Sequence, residues 1–186
     1  MYIIAGCNGA GKTTASLTIL PYVLDCFEFV NADEIAKELS PFDPESVAFD
    51  AGRIMLRRID DLMEMETSFS FETTLAAKSY HQLIHRAKEK GFKIVLLFFW
   101  LRSIELAKAR VAIRVKEGGH NIPPDVIERR YKSGITNLFH IYLPLVDEWI
   151  VYDNTSVLPV VICRNDRVNG LQIKNLELWQ ILKQLR

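Results

Sequence analysis

The chain has 186 residues, enough for one domain with a full hydrophobic core, and its 23 Lys and Arg balance 23 Asp and Glu to a formal net charge of zero. That balance argues against a strong nucleic-acid or polyanion binder, and the longest apolar run, Ile94 to Leu101, falls far short of the ~20 residues that span a bilayer. Three cysteines without C-x-x-C spacing fit a reduced cytoplasmic protein, neither a disulfide scaffold nor a zinc site, and an opening strand leaves no room for a signal peptide.

Residues 2–6 read as the first strand, on the apolar run Tyr2-Ile3-Ile4-Ala5. Gly6-Cys7-Asn8-Gly9-Ala10-Gly11-Lys12-Thr13 follows, a complete G-x-x-x-x-G-K-T loop. Thr13 to Leu20 then opens a helix that Pro21 is expected to end. Strand, loop and helix in that order are the context in which this motif binds phosphate. The glycines let backbone N–H groups converge, and the helix N-terminus adds its positive dipole end. Gly6, Asn8, Gly9, Ala10, Gly11, Lys12, Thr13 and Thr14 are therefore the expected nucleotide-binding residues. Lys12 would reach the β/γ-phosphates, and the Thr13 hydroxyl would ligand Mg²⁺. Cys7 sits among donors that would lower its thiol pKa, although a small loop filler is its simpler role.

Further strands are expected at 27–31, 67–72, 93–101 and 149–153, alternating with helices. This predicts an α/β P-loop NTPase fold, a five-stranded parallel sheet with helices on both faces. Asp43-Pro44-Glu45 starts a helix, with Asp43 as N-cap and Val47, Ala51, Ile54, Met55 and Leu62 as its apolar stripe. Arg53, Arg57 and Arg58 fall on its solvated side. Tyr80 to Lys90 is a helix closed by Gly91; its His81 and His85 lack a third metal ligand. The next helix starts at Ser103, runs to about Lys116 and ends at Gly118-Gly119. Glu117 to Asp125, rich in Gly and Pro, is expected to be mobile. Pro123-Pro124 opens a short helix with Arg129, Arg130 and Tyr131, and a third helix covers 133–146, bent or ended at Pro144. Segments 158–163 and 166–173 form a hairpin around Arg164-Asn165-Asp166. A last helix shows the apolar face Leu178, Ile181, Leu182 and Leu185. The organisation expected is one domain over 1–186, with a lid at about 103–132 and a C-terminal hairpin and helix at about 157–186.

Ligands of open parallel sheets bind at the carboxyl ends of the strands. There the second strand supplies Asp33 and the third supplies Glu72, Thr73 and Thr74. Phosphoryl transfer to a hydroxyl needs a base and a metal. Asp33 fits the base and an acceptor contact; Glu72 fits a Mg²⁺ partner or, with Thr73, a substrate anchor. Both acids could instead be helix caps or loop acids. No N/T-K-x-D element follows the fourth strand, so ATP is expected rather than GTP, with Asn154 bordering the adenine. Arg110 and Arg114 share a helical face, and with Arg129 and Arg130 they suit a lid that closes on ATP. Arg114 and Arg130 are the pair expected on the transferring phosphoryl group. The alternative is surface ion pairing with Glu105, Glu117 or Glu128. His120 lies in the lid turn and is given no proton-transfer role.

Gly6 to Thr14, Val30-Asn31-Ala32-Asp33-Glu34-Ile35-Ala36 and Phe69-Ser70-Phe71-Glu72-Thr73-Thr74-Leu75 resemble the zeta-toxin-like P-loop kinases, in particular the short bacterial proteins described as predicted ATPases. Gly118 to Pro123, Arg129-Arg130-Tyr131 and Tyr152-Asp153-Asn154 extend the likeness to about residues 1–156. The resemblance implies strand order 2-3-1-4-5 and ATP·Mg²⁺ as phosphoryl donor. In the larger toxins it implies a hydroxyl of UDP-N-acetylglucosamine as acceptor, with the acid matching Asp33 as base and lid arginines on the γ-phosphate. The chain lacks the longer insertions that shape the sugar-nucleotide pocket there. The expected function is transfer of the γ-phosphoryl group to a small-molecule hydroxyl. The alternatives are an ATP-binding regulatory module with slow ATPase activity and a polynucleotide 5′-hydroxyl kinase. An antitoxin partner is compatible with the resemblance; a membrane is not expected, and nucleic acid is disfavoured.

Overall fold

Ile3, Ile4, Ala5, Phe71, Leu96, Leu97, Phe98 and Phe99 are all nearly inaccessible, as expected of a parallel sheet covered on both faces. In the computed structural model, which describes residues 1–119 and 121–186, these side chains belong to three central strands. His120, in the expected lid turn, lies outside the described residues. In chain order the elements are β1 (Tyr2–Ala5), α1 (Lys12–Val23), β2 (Glu28–Val30), α2 (Ala32–Leu39), α3 (Ala48–Glu64) and β3 (Phe69–Thr73). There follow α4 (Tyr80–Glu89), β4 (Val95–Trp100), α5 (Ile104–Lys116), α6 (Pro124–Asn137) and α7 (Leu143–Leu145). The chain closes with β5 (Glu148–Asp153), β6 (Val160–Asp166), β7 (Gly170–Ile173) and α8 (Leu176–Gln184).

The sheet runs β2-β3-β1-β4-β5-β6-β7. Its first five strands are parallel, in the expected order. The expected five-stranded parallel sheet is nevertheless corrected to a seven-stranded mixed one, because β6 and β7 join it antiparallel. The link over 154–159 is far too short for the dozen or more residues of a parallel crossover, so the chain must return antiparallel beside β5. The hairpin turn also lies further on than expected. The Asp166 carboxylate accepts the Val168 and Asn169 N–H groups, an Asx-type turn.

Three helix expectations change. α1 continues through Pro21 to Val23: proline removes one donor, and Leu24 N–H to Ile19 O and Cys26 N–H to Leu20 O close the last turn. Asp43 makes no side-chain cap; a 3₁₀ turn over Pro44–Val47 precedes α3, and Ile59 and Met63 take core places expected of Val47 and Ile54. The two helices expected over 124–146 are one continuous α6 running into a π turn at Leu138–Tyr142 and then α7. No breaker separates Tyr131 from Ser133, and Gly134 packs on the loop after β3. On α8 the buried face is Leu178, Trp179 and Leu182, whereas Ile181 and Leu185 are 40% and 43% exposed. Trp179 turns inward because its ring stacks on Trp149 and tilts against Phe139.

A Cβ at Gly134 would lie 2.5 Å from the Thr74 carbonyl oxygen, a backbone atom with no rotamer to yield. Gly134→Ala is therefore expected to lower stability by about 1–3 kcal/mol, the usual range for overpacking. Urea unfolding checks this; an unchanged midpoint would show that α6 does not press on that loop.

Candidate active site

Parallel pairing of β1 with β3 sets Ile4 beside Glu72, which brings the Glu72 carboxylate up to the start of α1. Thr13 Oγ1 donates to Glu72 Oε2 at 2.7 Å, and Asn31 Nδ2 donates to the same oxygen at 3.0 Å. Lys12 Nζ lies 3.4 Å from Glu72 Oε1 and donates to the Cys7 carbonyl at 3.0 Å. Lys12 is only 6% exposed, so its charge is held by partners rather than by water. α1 has no acid in its first turn and no side-chain cap at Gly11, which leaves its first N–H groups available to an anion. Thr13 and Glu72 are two hard oxygen donors. Mg²⁺ takes one or two protein oxygens and fills its shell with water and substrate phosphate, so the pair fits it.

The Asn31 side-chain oxygen accepts the N–H groups of Asp33 and Glu34 at 2.9 and 3.4 Å. Asn31 is thus the cap of α2, and Asp33 is left exposed on the cleft. Sequence reading missed Asn31, although Asn followed by two acids inside the first turn is a cap signature. Asn8, Lys12, Asn31, Asp33, Glu72, Thr73, Thr74, Ala76, Ala77, Tyr80 and Arg130 line one cleft of about 230 Å³. Tyr80 was also missed, since nothing in the local pattern separates it from a core aromatic. Burial pushes its phenol pKa up, and the negative charge of Asp33 adds to that against a hydrogen bond with Thr73. The Thr73 hydroxyl accepts the Leu75 N–H at 3.1 Å.

Of the four lid arginines, the structure brings one to this cleft. Arg130 Nη1 donates to Asn8 Oδ1 at 3.3 Å. Its neighbour Tyr131 fixes the helix: the hydroxyl accepts from Trp100 Nε1 at 3.0 Å and donates to the Leu101 carbonyl at 2.7 Å. Arg110 instead donates to the Asn154 and Thr155 carbonyls at 2.9 and 2.8 Å. Asn154 Nδ2 in turn donates to Ala10 O at 2.6 Å. A Cβ at Gly11 would lie 2.7 Å from Asn154 Nδ2, and φ there is +76°, so only glycine admits this contact. Arg110 and Asn154 thus brace the phosphate loop from the side opposite Asp33. Arg114 and Arg129 do not line the cleft. Glu128 pairs with Lys108 and Lys132, not with these arginines. Asp153 is buried, which disfavours its charge, yet Thr155 and the Arg102 guanidinium hold its carboxyl below the usual range.

Cys7 is buried in the loop, in keeping with its simpler role as a small loop filler rather than an activated thiol. Burial pushes it up to about 11, outweighing the opposing charges of Lys12 and Arg110. Among the described residues no three His, Cys, Asp or Glu side chains gather as a metal cluster, and no helix is long and apolar enough to cross a membrane.

The family model described as Zeta toxin matches residues 1–158. A Haemophilus influenzae protein described as uncharacterized is 33% identical over 127 residues, covering 68% of this chain and 88% of that protein. The AvrRxo1-ORF1:-ORF2 structure with ATP superposes with a TM-score of 0.80 at 17% identity, covering 100% of this chain and 63% of the other. A structure of the PezAT chromosomal toxin–antitoxin system of Streptococcus pneumoniae gives 0.68 at 15% identity, covering 100% and 77%. The chain thus spans under two thirds of the AvrRxo1 chain, and at these identities the two structures establish shared fold.

With its thiol raised to about 11, Cys7 is expected to stay unmodified by iodoacetamide at pH 8 in the native protein. Peptide mass mapping reads this directly. Alkylation as fast as in the urea-unfolded chain would mean the loop exposes a reactive thiolate.

Proposed function

The chain belongs to the zeta toxin family, and from that premise we propose that it is an ATP- and Mg²⁺-dependent phosphotransferase acting on a hydroxyl of a small molecule. One observation carries this reading. An exposed carboxylate that caps nothing, Asp33, faces the same cleft as Lys12, Glu72 and Arg130. A protein that only bound ATP would need no such base. The AvrRxo1 complex with ATP supports the choice of nucleotide.

ATP phosphates would be received by the loop N–H groups and the start of α1. Lys12 would exchange the Cys7 carbonyl and Glu72 for phosphate oxygens, keeping its charge paired throughout. Thr13 and Glu72 would hold Mg²⁺, which when bound offsets phosphate charge. Arg130, one helical position before the anchored Tyr131, donates to the transferring phosphoryl group, where such donors act most strongly. Asp33 accepts the proton of the attacking hydroxyl. Asn154, Arg110 and Thr14 belong to the nucleotide side of the site, with Arg110 acting through Asn154. Arg114 and Arg129 would contribute by closure of the lid onto bound ATP. A protein partner of antitoxin type is part of the same reading, on the strength of the PezAT system.

Lys12→Ala is expected to abolish transfer measured with γ-labelled ATP. It should remain folded by circular dichroism while losing about 1–3 kcal/mol for the unsatisfied Cys7 carbonyl and Glu72. Full activity would remove Lys12 from the mechanism. Asp33→Asn should bind ATP normally in a calorimetric titration yet turn over ~10²-fold or more slowly. Parallel loss of binding and turnover would mark Asp33 as a structural residue.

A further inference from the structure

The loop that follows β3 is held in a costly shape by groups outside the cleft. Its residues Thr74, Ala76 and Ala77 line the cleft together with Asp33 and Tyr80. Leu75, fully buried between Thr74 and Ala76, sits at φ +56°. A residue with a side chain adopts that left-handed conformation at a cost and keeps it only where its surroundings impose it. Two of the loop's N–H groups are met from within: Thr73 Oγ1 accepts Leu75 N–H at 3.1 Å and Thr74 Oγ1 accepts Ala76 N–H at 3.4 Å. Its carbonyls are met by the second half of α6 and the π turn. Asn137 Nδ2 donates to Leu75 O at 2.8 Å and to Ala76 O at 3.1 Å, and the Tyr142 hydroxyl donates to Ala77 O. Thr74 O packs on Gly134. Four consecutive carbonyls are thus held by one helical segment.

The π turn makes this possible. At 3.6 residues per turn, Asn137 and Tyr142 would point about 140° apart. The turn over Leu138–Tyr142 is π-helical, with the five-residue periodicity that brings both side chains round to the same loop. Asn137 is only 4% exposed, so its amide protons serve these carbonyls rather than water. The same helix presents Arg130 to Asn8. Arg130 and Asn137 are two turns apart, about 10 Å along α6. One rigid element therefore runs from the phosphate end of the cleft to the wall that shares the cleft with Asp33.

We infer that Asn137 is a positioning residue which, with Tyr142, fixes this wall at a set distance from Arg130 and so decides whether the acceptor or water attacks bound ATP. The inference rests on the phosphotransferase reading above. In transfer, an acceptor hydroxyl oxygen bonds to the γ-phosphorus, and the bond from that phosphorus to the β,γ-bridging oxygen breaks. ADP leaves with those electrons, and the hydroxyl proton goes to Asp33. Water in the acceptor's place follows the same path and yields inorganic phosphate. Water needs no wall to seat it, whereas an acceptor resting on Thr74, Ala76 and Ala77 loses its alignment when the loop relaxes.

The test uses the full chain, γ-labelled ATP, Mg²⁺ and a deproteinised bacterial metabolite extract as the acceptor source. Label transferred to metabolites and label released as inorganic phosphate are measured side by side, and ATP affinity is read by calorimetric titration. The ratio of transfer to hydrolysis comes from folded protein alone, so loss of stability by itself leaves it unchanged. Asn137→Leu is expected to lower that ratio ~10-fold or more while ATP affinity stays within ~2-fold, since a displacement of about 1 Å suffices for losses of that order. Tyr142→Phe, which removes a single donor, is expected to lower it ~3-fold or more, and it decides the matter alone should Asn137→Leu not fold. An unchanged ratio in the folded variants, with transfer and hydrolysis falling together, would reduce both residues to a structural role and overturn the inference while keeping the phosphotransferase. A ratio that falls only in step with ATP affinity would overturn it as well, placing the effect on the nucleotide. Release of inorganic phosphate by the unmodified chain with no label in any metabolite would overturn the phosphotransferase reading itself, and the inference with it.

Discussion

Glu72 is the group on which the rest of the site depends. A carboxylate this enclosed must be paired or its desolvation goes unopposed, and three donors from the starts of two helices converge on it: Lys12, Thr13 and Asn31. Each of them has another duty. Lys12 and Thr13 open α1, and Asn31 caps α2. One side chain therefore aligns the phosphate loop, the third strand and the start of the helix that carries Asp33. The alignment is available because β3 lies between β2 and β1, so the ends of all three strands reach one edge in register. On the proposed reading, the same carboxylate would exchange Lys12 for Mg²⁺ when nucleotide binds, so that no buried charge is stranded.

A second set of contacts holds the opposite wall. Tyr131 joins α6 to the end of β4 through Trp100 and Leu101. Burial keeps its phenol protonated, pushed up to about 12, so the hydroxyl remains a donor across physiological pH. Glu128 ties α6 to Lys108 on α5. Arg130 is thereby presented to Asn8 from a clamped helix rather than from a free loop. Rigid support of this kind matters because a charge that stabilises a transition state works best when it need not reorganise. The brace from Arg110 through Asn154 to Ala10 does the same for the loop from behind.

Much of the fold was legible in the sequence because its signals are local. Alternating apolar strands and capped helices reveal the α/β class. Gly6 to Thr13 reveals the phosphate loop, since backbone turns and a helix start need particular residues at fixed spacing. Ser103 as a cap and Gly91 as a stop are of the same kind, and both stand where expected. The failures are non-local. Whether the C-terminal hairpin stands apart or extends the sheet depends on which strand edge is open. Whether Trp179 or Ile181 faces inward depends on Trp149 and Phe139 being there to receive it. Gly134, inside α6, marks the point where the Thr74 carbonyl passes close by, a contact no local pattern announces.

The candidate site divides along the same line. By itself the sequence determined that a phosphate-binding loop heads the chain and that acids follow the second and third strands, because these are facts of residue type and short spacing. Only the tertiary structure decided that Arg130 lines the cleft while Arg110 braces the loop through Asn154, and that Glu72 bonds to Thr13. Those outcomes turn on which side chains from distant elements meet across a few ångströms. That is set by strand register and helix packing, for which a linear pattern carries no direct signal.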